Sequence, residues 1–271
     1  MSDAWDAADA AAERAGVSLR ALTTVEDVEA LLAVERAVWG EQAQTPSEMV
    51  IALAESGNVP FGAVAGTELI GFVLGWAGVN HRDGLHVHSH QLGALPDRRH
   101  RGVGYALKLA QRAQALDAGI SLIRWTFDPL VSRNAWFNLV KLGAAADRFL
   151  PNYYGDMSDE LNRGDRSDRL LVRWDLEGEP RGQVLAEGEE VLGREGDAAE
   201  SPRPGSPAPP SGDRALIRIP REYHALRARD PALARAWREA TGEAFERCFD
   251  AGLSVEGFTE ESTYVLGAAG P

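Results

Sequence analysis

The apolar positions of this chain repeat at two spacings, and each spacing predicts its own kind of element. From Gly102 to Ala118, the residues Val103, Ala106, Leu107, Ala110 and Ala113 fall on one face of a helix, with Gly119 as its stop. Apolar runs from Pro60 to Ala65 and from Glu68 to Gly78 flank a Gly66-Thr67 turn and read as a β-hairpin. Further strands are expected over 17–22, 85–95, 120–127 and 168–176, and further helices over 3–15, 24–39, 46–56 and 132–142. The first of these helices is Ala-rich and expected to be peripheral. Thr24 and Asp27 stand at the spacing of a capping arrangement. The order β-α-α-β-β-β-α-β-α-β predicts a mixed α/β fold, a sheet with helices on both faces.

Past Leu176 this pattern breaks off. Residues 179–213 are rich in Gly, Glu, Pro and Ser and read as a disordered linker, because they hold too little apolar surface to order themselves. Order returns with a strand over 215–219 and a helix that opens at Asp230-Pro231 and stops at Gly252. Its apolar stripe is Leu233, Trp237, Ala240, Ala244, Phe245, Cys248 and Phe249. A tail of fewer than about 60 residues is marginal alone, so 214–271 is expected as a small C-terminal α/β appendage docked on the main domain or a partner subunit. The expected division is a helical extension over 1–16, a main domain over 17–178, the linker and the appendage.

Composition narrows the function classes. With 44% hydrophobic and 25% charged residues the chain has enough apolar surface for a full core. A formal charge of −13 argues against nucleic acid or an anionic membrane as general partners. No apolar run approaches the roughly 20 residues of a membrane span. The acidic opening Met-Ser-Asp-Ala-Trp-Asp lacks the basic start and apolar core of a signal peptide, and the lone Cys248 permits no internal disulfide, so the cytoplasm is the expected setting. One local exception stands out: Arg98, Arg99, His100, Arg101, Lys108 and Arg112 fall close together and invite an anionic ligand.

In that segment a strand ends at Pro96, Arg99 follows, and Gly102 and Gly104 open a helix. Such glycines let backbone N–H groups approach a diphosphate, and the helix N-terminus adds partial positive charge. The bare spacing also suits a simple tight turn. Arg99-x-x-Gly102-x-Gly104 after Leu92-x-Ala94-x-Pro96 resembles the acyl-CoA-binding motif of the GCN5-related N-acetyltransferases (GNAT), and the order of elements over 17–176 agrees. The resemblance implies the GNAT fold, an acetyl-CoA or other acyl-CoA co-substrate and no metal. It implies that the backbone at Ala94 and Leu95 meets the pantetheine arm, that Arg99, His100, Arg101, Gly102, Val103 and Gly104 hold the diphosphate, and that the sheet splays between the strands at 85–95 and 120–127.

A narrower resemblance lies in Trp125-Thr-Phe-Asp-Pro-Leu, Asn134-Ala-Trp-Phe-Asn-Leu-Val-Lys-Leu-Gly, Asn152-Tyr-Tyr-Gly and Leu161-Asn-Arg-Gly-Asp-Arg-Ser-Asp-Arg-Leu. These are similar to a bacterial subgroup of predicted acetyltransferases that includes amino-acid N-acyl- and N-succinyltransferases. Trp125, Asp128 and Arg169 are the candidate substrate contacts, Trp125 suiting the core equally.

Amine acylation requires loss of a proton from an ammonium and departure of a thiolate. His86, His88 and His90 alternate on one strand and share a face, and His90, closest to the splay, is the candidate general base. A His-x-His-x-His metal site lacks accompanying Cys or carboxylate ligands. The family's usual thiolate acid, a Tyr four residues before the Gly of Leu-Gly, is Leu139 here, which leaves Tyr154 or Tyr153 as substitutes. Asn134, Asn138 and Lys141, at i, i+4 and i+7, fall on one helical face expected to line the coenzyme groove. Arg166 and Arg169 suit an acceptor or acyl carboxylate, or surface ion pairing. The reading is an acyltransferase that moves an acetyl or succinyl group to the amine of a small molecule, plausibly an amino acid, with a homodimer left open. The alternatives are a non-catalytic acyl-CoA sensor and a protein N-acetyltransferase.

Overall fold

The computed structural model describes residues 3–42, 45–98, 102–159, 162–178, 184–195 and 202–268. It is a mixed α/β fold in two compact units. One comprises Met1–Trp125, Ser158–Arg163 and Asp175–Glu177; the other comprises Thr126–Met157, Gly164–Trp174 and Gly178–Pro271.

In the first unit β1 (Ser18–Ala21), β2 (Phe61–Ala65), β3 (Glu68–Asn80) and β4 (Gly84–Ala94) form an antiparallel run, and β5 (Leu122–Phe127), which continues into the second unit, joins β4 in parallel. The predicted hairpin is β2–β3, with Gly66 in the left-handed region at φ 62°. Helix α2 (Val25–Trp39) starts as its cap predicts: Thr24 accepts from the Asp27 amide and Asp27 accepts from the Thr24 amide. Its buried face carries Val28, Leu31 and Val34 against Phe72 and Leu74 of β3, and α3 (Ser47–Glu55) adds Val50 to that cluster. On the opposite side of the sheet, Val103 and Leu107 of α4 (Val103–Asp117) pack with Ala63, Ile70 and Val73.

Helix α1 (Asp3–Ala15) is not peripheral. Its Ala4, Ala8, Ala11 and Ala12 are buried, and α1 packs along α4. Small side chains on one stripe let the two helix axes approach closely, and the Trp5 indole donates to Asp117 at 2.6 Å.

The second unit carries strands in the order β7 (Arg169–Asp175), β6 (Ala145–Leu150), β12 (Leu253–Phe258), β13 (Thr263–Ala268), β11 (Arg214–Arg218) and β8 (Glu189–Leu192). All neighbours described in this run are antiparallel except β11–β8. The tail is therefore part of a sheet that starts in the middle of the chain, through the pairing of Val255 with Ala146. The compact units divide at Trp125–Thr126 as well as at Glu177–Gly178, so residues 126–157 and 164–174 belong with the tail. Helix α7 (Pro231–Asp250), capped by Asp230 on the Leu233 amide, buries Trp237, Ala244, Phe245 and Cys248. The short α6 (Tyr223–Arg229) precedes it.

Two expectations need correction. Within the expected linker, Val191 and Leu192 are buried, β8 pairs with β11, and β9 (Arg194–Glu195) pairs with β10 (Arg203–Pro204). The prolines do not prevent this order, because their carbonyls are used as acceptors: Pro202 takes the Trp237 indole and Pro207 takes Arg247. The expected linker residues 179–183 and 196–201 lie outside the described residues. The expected helix over 132–142 is a single α-turn, α5 (Ser132–Ala135), followed by a π-helical segment Trp136–Lys141 in which the Leu142 amide bonds the Phe137 carbonyl. The wider turn changes the phase, so Asn134, Asn138 and Lys141 do not share a face. Asn138 is buried and Lys141 is exposed.

Candidate functional site

The strand β4 carries the candidate histidines of the first unit, and its irregularity decides where the side chains go. Across β3–β4, Leu74 faces Gln91 while the next residue, Gly75, faces Ser89. His90 is thus the extra residue of a β-bulge, a device that re-aims a side chain. Gly75 is required opposite it, since a Cβ there would lie 2.6 Å from the His88 carbonyl oxygen and 2.7 Å from Gln111 Nε2.

Around the bulge the rings of His88 and His90 lie 5.0 and 4.9 Å from the Trp76 ring and 5.9 Å from each other. His86 is buried, its Nδ1 2.9 Å from the Gly84 carbonyl oxygen. Burial and the neighbouring His90, His86 and Lys108 lower His88 to about 4. Burial also lowers His90, against the pull of the Glu35 carboxylate, so both imidazoles are neutral at pH 7. That is the state a proton acceptor requires.

Glu35 went unremarked in the sequence. It is buried inside α2, where Oε1 accepts from the Thr45 hydroxyl and from Gln91 Nε2, each at 2.7 Å, and Oε2 accepts from the Thr45 amide at 3.0 Å. The signal was a carboxylate one turn beyond Leu31, on the apolar stripe of the helix. On the other side of the sheet, Lys108 is 1% exposed. Its Nζ donates to Ser89 Oγ at 3.0 Å and Gln111 Oε1 at 2.9 Å, and sits 3.8 Å from the centroid of the buried Trp125 ring. Burial pushes this amine well below the usual lysine range.

The ladder between β4 and β5 holds at Val87–Ile123 and His88–Arg124. Farther along β4 the Leu95 amide donates to Ile70 at 2.9 Å, so it is not open to a ligand as expected. Strand alternation then turns the N–H and C=O of Leu92 and Ala94 away from β3. Just beyond, Gly102 adopts φ 87° to start α4, whose first turn contains Val103 and Gly104 and no acidic residue. Its N–H groups are suited to an anion. Arg99, His100 and Arg101 lie outside the described residues.

The second unit holds the other predicted residues. Tyr154 bonds the Thr126 hydroxyl at 3.0 Å, stands edge-on to Tyr153 and lies under the Arg169 guanidinium. Both tyrosines are exposed. Asp128 is held by Arg238 through two bonds of 2.7 Å, and Arg169 is buried and donates to the Asp168 carbonyl and Met157 Sδ. Arg166 forks onto Asp168 with bonds of 2.7 Å. Asp128 and Arg169, expected to meet substrate, are thus engaged within their own unit, and Arg166 takes the ion-pairing alternative. Leu139 is buried in the π-helical segment, and burial with the nearby Glu189 pushes the Cys248 thiol up to about 12. Among the described residues no group of His, Cys, Asp and Glu is arranged to hold a metal ion, and no helix is long and apolar enough to cross a membrane.

No family model matches this chain, and no curated protein matches it. Solved structures do. The ribosomal-protein-S18-alanine N-acetyltransferase from Escherichia coli shares 15% identity, with 62% of this chain and 99% of that one covered and a TM-score of 0.47. Aminoglycoside 6'-acetyltransferase type Ii shares 17% over 60% of this chain and 99% of its own, with a TM-score of 0.47. Chaetomium thermophilum Naa20, in complex with a bisubstrate analogue, shares 18% over 59% of this chain and 86% of its own, with a TM-score of 0.48.

Proposed function

We propose that this chain is an acyl-CoA-dependent N-acyltransferase of the GNAT type, which moves an acetyl or succinyl group to the amine of a small molecule. The observation that carries this reading is the course of β4. Its pairing with β5 holds at His88, the N–H and C=O of Leu92 and Ala94 turn away from β3, and it then leads to a helix opened by Gly102. An extended pantetheine matches the second feature and a diphosphate the third. The Arg99-x-x-Gly102-x-Gly104 pattern at this place supports the same reading.

In the proposed reaction His90 takes the proton of the acceptor ammonium, directly or through water. The free amine attacks the thioester carbonyl, and the C–S bond breaks as the amide forms. The departing thiol has a pKa of about 8 to 9 and leaves readily. Tyr154 is the proposed donor to it, and an unchanged kcat in Tyr154→Phe would hand that step to water. With Arg166 and Arg169 bonded internally, an acceptor carboxylate has lost its expected partners, so amines with and without one belong in the test. That test is thiol release over a matrix of acyl-CoAs and amines, peptide N-termini included. Turnover with none of them, together with no calorimetric heat from CoA, would overturn the proposal.

One observation favours a second reading, a non-catalytic acyl-CoA sensor: the family's usual Tyr is replaced by Leu139, which is buried. CoA binding without turnover across the matrix would select it.

A further inference from the structure

Within α2 the apolar stripe should be uniformly greasy, yet it carries Glu35, 1% exposed. A buried carboxylate without donors is costly, and this one has been given them by two separate parts of the first unit. The Thr45 amide and hydroxyl reach it from the connection between α2 and α3, and Gln91 Nε2 reaches it from β4 at 2.7 Å. Gln91 is the residue that closes the bulge, immediately after His90. The far side of His90 is set by the Trp76 ring, at 4.9 Å. The bulge is therefore bounded by a ring on β3 against His90 and by a carboxylate on α2 that holds the adjoining Gln91. The charged and titratable groups around it are Glu35 from α2 and His88 from its own strand; Lys108 of α4 acts on His88.

We propose that Glu35 is the positioning residue for His90: through Gln91 it anchors the bulge, and its charge favours the protonated imidazole that forms when His90 takes a proton. The role of His90 as base rests on the acyltransferase reading above, while the coupling of the two side chains does not. Burial weakens the basicity of His90 and the carboxylate restores part of it, the direction a base requires to accept from an ammonium.

The test compares the parent with Glu35→Gln, which keeps the shape and hydrogen bonding of the side chain and removes its charge. The His90 ring, assigned with His90→Asn, is titrated by NMR. We expect it to bind its proton roughly three- to tenfold more weakly in Glu35→Gln. The acidic limb of kcat/KM should move to lower pH with the KM for acyl-CoA unchanged. Gln91→Leu retains the charge and loses the tether, so there kcat should fall while the limb stays in place. An identical His90 titration in folded Glu35→Gln overturns the inference. If that variant does not fold, the parent decides: the Glu35 carboxyl resonance must show a second inflection where His90 titrates, and its absence overturns the inference equally. A parent with no turnover would sink the acyltransferase reading, yet the titrations would still decide this coupling.

Discussion

Arg238 of α7 grips Asp128, in the turn after β5, through two hydrogen bonds of 2.7 Å while its own surface is 3% exposed. The same guanidinium reaches Asp165 at 2.6 Å, and Asp165 also takes the Tyr223 hydroxyl at 2.8 Å. Burial opposes the charge on Asp165, and the bonds from Arg238 and Tyr223 outweigh it, holding the carboxyl below its ordinary range. Gly242, one turn along α7, has no side chain because Arg166 occupies that space, 2.6 Å from where a Cβ would be. One helix of the tail is thereby locked to two loops of the middle of the chain.

The first prediction follows from that lock. Arg238→Ala leaves two half-buried carboxylates without their shared cation and should destabilise the second unit by about 2 to 4 kcal/mol, measured by denaturant unfolding. Adding Asp128→Asn and Asp165→Asn should recover part of the loss. A single variant as stable as the parent would show that the network is solvated.

His90→Ala should lower kcat/KM roughly 10²- to 10⁴-fold with CoA affinity little changed, the scale of general-base loss. Steady-state kinetics with calorimetry on the same sample separates the two quantities. Loss of CoA affinity alongside rate would make His90 a structural residue.

Lys108 gives a pH signature. Its pKa is lower folded than unfolded, so the cost of burying its charge is fully felt below the folded value and vanishes as pH rises toward the ordinary 10.5. Replacing it with an apolar chain of similar length, Lys108→Met, should raise Tm at pH 7 and flatten the rise of stability with pH. An unchanged slope would show that the amine is charged at little cost.

The neutral His88 sets the opposite edge of the stable range. The unfolded chain protonates it near 6.5 and the folded protein only near 4. Stability should therefore fall as pH drops through that window, by at most about 3 kcal/mol, and this part of the slope should level off below it. His88→Gln should remove it. Thermal unfolding between pH 4 and 7 makes the comparison.

Gly102 stands at φ 87° with only the Ala15 Cβ near its own would-be Cβ, at 3.6 Å. Gly102→Ala thus meets a conformational penalty and no clash, and should cost about 1 to 2 kcal/mol. CoA affinity should fall further in Gly104→Val, where a side chain blocks close backbone approach. Full CoA binding in both would place the diphosphate elsewhere.

What the sequence made legible was local. The Thr24–Asp27 cap, the Gly66 turn, the Gly119 stop and the Asp230-Pro231 start are each written in neighbouring residues, and the helices and hairpin they bound are present. The strands β6, β12 and β13 went unread because their stability comes from partners far along the chain, which short apolar runs such as Leu253–Phe258 do not announce. The tethering of β8 under α7 was hidden by the Pro-rich composition around it. The sequence places His90 on β4, but the bulge that aims its side chain depends on Gly75 across the hairpin. Glu35 was masked by the helical stripe that carries it. Arg166 was legible as a carboxylate binder, and the carboxylate it binds is the protein's own Asp168.

The pairing of Ala146 with Val255 also fixes an order of events at the ribosome. β6 and β7 emerge while β12 has yet to be translated, so a nascent chain shows a bare strand edge on β6 until Leu253–Phe258 is made. Such an edge is a template for foreign strands. The first unit has no such wait for its hairpin and helices, which are encoded consecutively. Slow translation of the tail, or a stop codon before Leu253, would prolong the interval in which a half-built sheet meets chaperones and proteases, and the cost of a late nonsense mutation would be aggregation before any loss of chemistry.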